Sequence, residues 1–98
     1  MANIKESAIE QHLVDAVEQR GGVCFKVVSP GKRGFFDRIV VVDGQVVFVE
    51  TKKPRGGRVS PQQKLMHQRF REAGARVEIA RTIAAVDALV DSLSRLSE

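Results

Sequence analysis

The chain has no tryptophan and no tyrosine, and five phenylalanines are its only large aromatic side chains. With so few flat ring faces, a surface built to stack unpaired bases is not expected. A single cysteine, Cys24, excludes an internal disulfide and gives no sign of secretion. It sits in the apolar run 23–28 and reads as a small buried hydrophobe. The two histidines, His12 and His67, lie far from Cys24 and from each other. No Cys/His cluster is therefore present to hold zinc, and both histidines read as ordinary helix-surface residues. No apolar run approaches the roughly 18 residues of a membrane span, and the start MANIKESAIE lacks a signal-peptide core. Repeats, low-complexity tracts and interdomain linkers are missing too. The expectation is a cytoplasmic protein with no membrane partner, forming one domain over residues 1–98.

What is present is positive charge, unevenly placed. Residues 26–81 hold thirteen Lys/Arg against five Asp/Glu, whereas the remaining residues hold three against seven. A basic middle between acidic ends is the footprint of a surface that meets phosphates. A solvated basic surface with no partner would look the same by charge alone.

Hydrophobic periodicity divides the chain into αβββαβα. A helix over residues 4–20 carries Ile9, Leu13, Ala16 and Val17 at helical spacing and stops at Gly21-Gly22. A strand over 23–28 leads to the basic loop SPGKRG (29–34). Two β-branched runs then flank Asp43-Gly44, the pair that best signals a two-residue hairpin turn. After a second basic loop, KPRGGR (53–58), Ser60-Pro61 caps a helix that Gly74 closes. A strand over 76–81 precedes a last helix, about 83–95. The expected fold class is α/β, a mixed central sheet flanked by helices.

The hairpin carries the chemistry. A two-residue turn sets Val42 opposite Gln45, which places Asp37 opposite Glu50 with Cβ atoms roughly 5 Å apart. Lys52 shares their face, because side chains along a strand alternate with period two. Like charges facing each other destabilise a hairpin, and these two end a stripe of Ile39, Val41, Val46 and Phe48. A bound cation explains that arrangement better than a solvated face does. Oxygen-only ligands favour Mg²⁺ or Mn²⁺. Such a cation polarises a phosphoryl oxygen and acidifies bound water, which is what phosphodiester hydrolysis needs. Asp37 and Glu50 are the expected metal ligands, with the Thr51 backbone carbonyl between them, and Lys52 would hold the attacking water or stabilise developing charge.

FD-x12-E-T-K resembles the active-site signature of the PD-(D/E)XK nuclease superfamily. The wider string resembles its VRR-NUC branch over residues 6 to about 80: a helix with early glutamates, Gly-Gly, a strand with Lys26, SPGKRGFFDR, VVFVETK and S-P-Q-Q. The resemblance implies a restriction-endonuclease-like αβββαβ core and catalytic roles for Asp37, Glu50 and Lys52. It further implies an acidic metal ligand from the first helix and a supporting glutamine from the second. Phe36 stands where the family usually has proline, which alters backbone shape but removes no ligand. Glu6 and Glu10 both flank the buried stripe of the first helix, so periodicity does not separate them; Glu10, deeper in the helix, is preferred. Gln63 falls in line with Phe70 and the apolar face, whereas Gln62 points away, so Gln63 is the expected glutamine. A core glutamine bonding backbone is the structural alternative.

Lys26, Lys32, Arg33, Arg38, Lys53, Arg55 and Arg58 flank the carboxylates and would position a nucleic-acid backbone without reading sequence. The expected function is a metal-dependent, structure-selective DNA endonuclease acting on duplex or branched DNA. Stand-alone members of the branch look phage-like or bacterial and resemble Holliday-junction resolvases in scale. A non-catalytic DNA-binding module with the same fold is the rival, and an RNA-directed nuclease a third reading. Paired cuts would suit a homodimer, for which Ile83, Val86, Leu89, Val90 and Leu93 on the last helix offer a candidate surface.

Overall fold

A computed structural model describes residues 4–28 and 36–94. The elements follow the expected order: α1 (Glu6–Gln19), β1 (Val23–Lys26), β2 (Arg38–Val42), β3 (Gln45–Thr51), α2 (Pro61–Glu72), β4 (Arg76–Ala80) and α3 (Ile83–Ser94). The four strands form one mixed sheet in sequential order, β1, β2 and β3 antiparallel and β4 parallel to β3. Parallel neighbours need a crossover, and α2 supplies it.

The hairpin register is the one the turn demands. Asp43 and Gly44 both take positive φ, 51° and 79°, the backbone of the tight turn whose twist matches that of the strands. Val42 pairs with Gln45 and Arg38 with Val49. Because the period is two, this register divides the strands cleanly between two faces. Val40, Val42, Val47 and Val49 are fully buried against Ile9, Leu13 and Val17 of α1 and Val86, Leu89, Val90 and Leu93 of α3. The opposite face carries Phe48 and Glu50 and is covered by α2, through Phe48 against Phe70 (5.1 Å between ring centres) and Gln63 against Glu50.

One expectation changes here. The apolar residues of α3 are not a spare surface, since Val86, Leu89, Val90 and Leu93 are all buried within the single chain. Helix α3 packs on α1 as well as on the sheet, so it buries a wider arc than a helix lying on a sheet alone. Leu93→Ala should therefore cost about 2–5 kcal/mol of folding stability. Thermal unfolding at several protein concentrations checks this: a lower Tm independent of concentration fits a core position, whereas unchanged stability with altered mass would restore α3 as an interface. His12 is the helix-surface residue expected, and its Nε2 meets Asp87 Oδ1 at 2.7 Å in an exposed contact between α1 and α3.

Candidate active site

The end of the β2–β3 hairpin gathers Asp37, Glu50, Thr51 and Lys52. The Asp37 N–H donates to the Val49 carbonyl (3.1 Å), one residue off the register that pairs Arg38 with Val49, so Asp37 is not set directly opposite Glu50 as the two-residue turn predicted. A local bulge puts Asp37 and Arg38 both against Val49, with the Asp37 charge still acting on Glu50. Asp37 Oδ2 accepts from both the Thr51 N–H (2.8 Å) and its hydroxyl (2.7 Å). Those two bonds orient the carboxylate and occupy one of its oxygens. On the far side of β3, the Lys52 N–H donates to the Ala80 carbonyl, so β4 anchors the segment that carries the lysine.

Glu50 is only 2 % exposed. Its Oε2 accepts from Gln63 Nε2 (2.7 Å) and pairs with Lys52 Nζ (3.3 Å), while Oε1 is buried with no hydrogen-bond partner among the described residues. A buried, unsatisfied carboxylate oxygen is costly and calls for a ligand. Burial pushes the Glu50 carboxyl up to about 7, and the neighbouring Asp37 carboxylate adds to the rise; Lys52 and Gln63 work against it. A cation would relieve both causes at once, as it supplies the missing partner and neutralises the neighbouring charges. The two carboxylates thus fit a hard divalent ion, which commonly takes one or two protein carboxylates and completes its shell with water and substrate phosphate.

Gln63 is held from both ends. Its Oε1 accepts from the Ser60 N–H (3.0 Å) and its own N–H donates to Ser60 Oγ (3.1 Å), a reciprocal cap on α2. The remaining amide then points at Glu50. The structural alternative, a backbone-bonded cap, is the one seen, and the same side chain also bonds the Glu50 carboxylate.

Glu10 stands elsewhere. Its Oε2 takes bonds from Arg38 Nε (2.8 Å) and Lys26 Nζ (3.2 Å), on residues paired across β1 and β2. Burial pushes the Glu10 carboxyl up, but the bonds and charges of Arg38 and Lys26 outweigh it and hold the group below the ordinary carboxylate range. Among the described residues no three Asp, Glu, His or Cys side chains come close enough to share a metal. The structure therefore does not bring Glu10 to Asp37 and Glu50. It also gives Lys26 and Arg38 a carboxylate partner inside the fold, and Arg38 is largely buried beside it.

Of the other basic residues, Lys32 and Arg33 lie outside the described residues. Lys53, Arg55 and Arg58 are exposed on the loop that follows Lys52. That loop turns back on itself so closely that a Cβ at Gly57 would lie 2.6 Å from the Lys53 carbonyl oxygen.

One neighbour escaped the sequence reading. His67 is not a surface residue; it is 2 % exposed, stacked on Phe36 at 4.8 Å, with Nε2 unpartnered among the described residues. Burial lowers its pKa, with the Arg71 and Lys52 charges adding to the effect. A signal was available, because residues 63, 67 and 70 fall on one helical face. Cys24 behaves as expected, half-buried against the core with its thiol pushed up to about 11 by burial.

A scan against protein-family models matches none. Among curated proteins, the chain is 44% identical over 78 residues to "Putative nuclease p44" of Acyrthosiphon pisum secondary endosymbiont phage 1, spanning 79% of this chain and 83% of that one. Among solved structures, a chain described as a VRR_NUC domain superposes with a TM-score of 0.81 at 31% identity, covering 88% of this chain and 94% of the other. With most of both chains covered at these identities, the chain belongs to the VRR-NUC family of nucleases.

Proposed function

We propose that the protein is a Mg²⁺- or Mn²⁺-dependent endonuclease that hydrolyses phosphodiester bonds in duplex or branched DNA. The observation that carries this reading is a buried Glu50 whose Oε1 lacks a partner among the described residues, next to the Lys52 ammonium and close enough to Asp37 to feel its charge. Asp37 and Glu50, with the Thr51 carbonyl, would hold the ion, which supplies an acidified water and a counter-charge for the reacting phosphate. Lys52 sits where its ammonium can orient that water or meet charge developing on phosphate oxygens. Gln63 keeps Glu50 in its rotamer, and Thr51 does the same for Asp37. Glu10 would act at one remove, by holding Arg38 and Lys26 at the neighbouring strand ends.

Structure selectivity, Holliday-junction cutting included, is favoured by a basic surface without tryptophan or tyrosine to stack single-stranded bases. A homodimer would pair outside α3, and among the described residues Val23 and Phe25 on β1 and Val46 on β3 are 57%, 65% and 49% exposed. Light scattering at micromolar concentration tests it, and a mass near the 10.8 kDa of one chain would sink the dimer.

The deciding experiment is cleavage of four-way, flap and linear duplex DNA, and of the four-way substrate in RNA, with Mg²⁺, Mn²⁺ or EDTA. Metal-dependent products on branched DNA are expected. Binding without product on every substrate would leave only a DNA-binding module. Lys52→Ala should abolish cleavage yet still bind Mn²⁺ in calorimetry, because it removes the ammonium and neither carboxylate.

A further inference from the structure

Next to the carboxylates lies a groove lined by Gly57, Arg58, Val59, Ser60, Pro61, Lys64 and Arg81. Three of these seven residues are cationic and none is acidic. They come from three separate places: the loop after β3, the first turn of α2, and the residue that follows β4. Only the parallel β3–β4 pairing makes them neighbours. Thr51 pairs with Ala80, so Arg81 emerges beside Lys52 and Lys53. Arg81 Nη1 then donates to the Gly57 carbonyl (2.6 Å) and reaches the Lys53 carbonyl at 3.5 Å, which fixes the guanidinium against the doubled-back loop. Its Nε and Nη2 have no acceptor among the described residues. The groove also opens on the N-terminus of α2, a 12-residue helix whose dipole favours an anion there.

We infer that Arg58, Lys64 and Arg81 form a second phosphate subsite, one that seats a backbone phosphate neighbouring the bond held at Asp37 and Glu50. The inference rests on the nuclease reading for the identity of its ligand, but the groove's chemistry stands apart from the cutting step. Gln63 sets the spacing. One end of its amide accepts from Ser60 at the groove's rim and the other donates to Glu50, so a single side chain separates the groove from the carboxylates. Two neighbouring carboxylates repel a polyanion, and a fixed cationic seat one phosphate away offsets that repulsion without reading sequence.

The test is the salt dependence of binding, measured by anisotropy on a labelled duplex in EDTA, together with steady-state cleavage. Lys64→Ala and Arg58→Ala should each lower the slope of log K against log salt by about 0.9. Each should also raise KM several-fold with kcat retained. Arg81→Lys, which keeps the charge and one donor, should bind closer to wild type than Arg81→Ala. Arg69→Ala, an equal loss of charge on the exposed surface of α2, serves as the control and should leave the slope unchanged. Inorganic phosphate titrated against the labelled protein should shift the amides of residues 57–64. Wild-type slopes and KM in both Lys64→Ala and Arg58→Ala, or an equal drop in Arg69→Ala, would overturn the subsite. Phosphate shifts without any change of slope would likewise reduce the groove to a site for the free ion. Because the slopes are read without metal, loss of the nuclease reading in the cleavage panel leaves them interpretable, and their failure leaves cleavage untouched.

Discussion

Asp37→Asn is expected to abolish phosphodiester cleavage while metal-free DNA binding persists or tightens. The substitution is nearly isosteric, and a carboxamide oxygen can still accept from the Thr51 N–H and hydroxyl that hold Asp37 now. The hairpin end should therefore keep its shape. What disappears is a negative charge, and with it half of the carboxylate pair proposed to hold the divalent ion. The same change removes one of the two causes that raise the Glu50 carboxyl, so Glu50 should titrate lower than about 7 in the variant. Three measurements separate these effects: cleavage with Mg²⁺ or Mn²⁺, calorimetric metal binding, and anisotropy in EDTA. Cleavage at the wild-type rate would show that the site lies elsewhere.

The second large effect is on stability, and it runs opposite to activity. Glu50 titrates at about 7 in the folded chain against an ordinary 4.5. The folded state thus keeps its proton to higher pH than the unfolded chain does. The associated stability is fully present below pH of about 4.5 and is lost as pH rises through about 7. The loss is on the order of 3 kcal/mol, since each pKa unit is worth about 1.4 kcal/mol. Glu50→Gln removes the titration, and its amide oxygen can still accept from Gln63. Lys52 loses its charged partner, which lessens the gain without restoring the pH dependence. In EDTA, wild-type Tm should fall relative to that of the variant between about pH 5 and pH 8, any change from the buried His67 being common to both, so the variant is the more stable protein at pH 8 by up to about 10 °C. Mg²⁺ should raise the wild-type Tm at pH 8 and leave Glu50→Gln unmoved. Parallel pH profiles for the two proteins would mean that Glu50 is not held in an unfavourable ionisation. A residue that weakens the fold where it is charged is what a built binding site looks like.

The hairpin was legible in the sequence because everything that sets it is local. Asp43-Gly44 selects the turn, the turn selects the register from Val42–Gln45 to Arg38–Val49, and period two puts Glu50 and Lys52 on one face, whereas Asp37 lies one residue past that register and its bond to Val49 shifts it. Gln63 was legible for a similar reason, as Ser60 and Pro61 start the helix and one turn of wheel geometry aims the side chain. The order of elements followed from periodicity and stop signals, and the described helices and strands fall within the spans read from them. Lys32 and Arg33 lie outside the described residues, and the roles of the site residues rest on the experiments above.

What only the tertiary structure decided are the partners that meet across long stretches of chain. Nothing near Glu10 in sequence says that Arg38, 28 residues away, would take its carboxylate; that depends on which face of the sheet α1 covers. The breadth of apolar surface on α3 was readable, but whether it met a second chain or this one turned on α3 packing against α1 as well as the sheet. His67 became buried because α2 docks on Phe36 and Phe48, an arrangement that needs the β3–α2–β4 crossover in place. Arg81 reaches the doubled-back loop only through a parallel register, for which a sequence carries no turn signal. Local sterics and short hydrogen-bonded turns act over a few residues and so can be read from them. Face selection and parallel pairing are settled by total burial of the chain, a sum that no single segment contains.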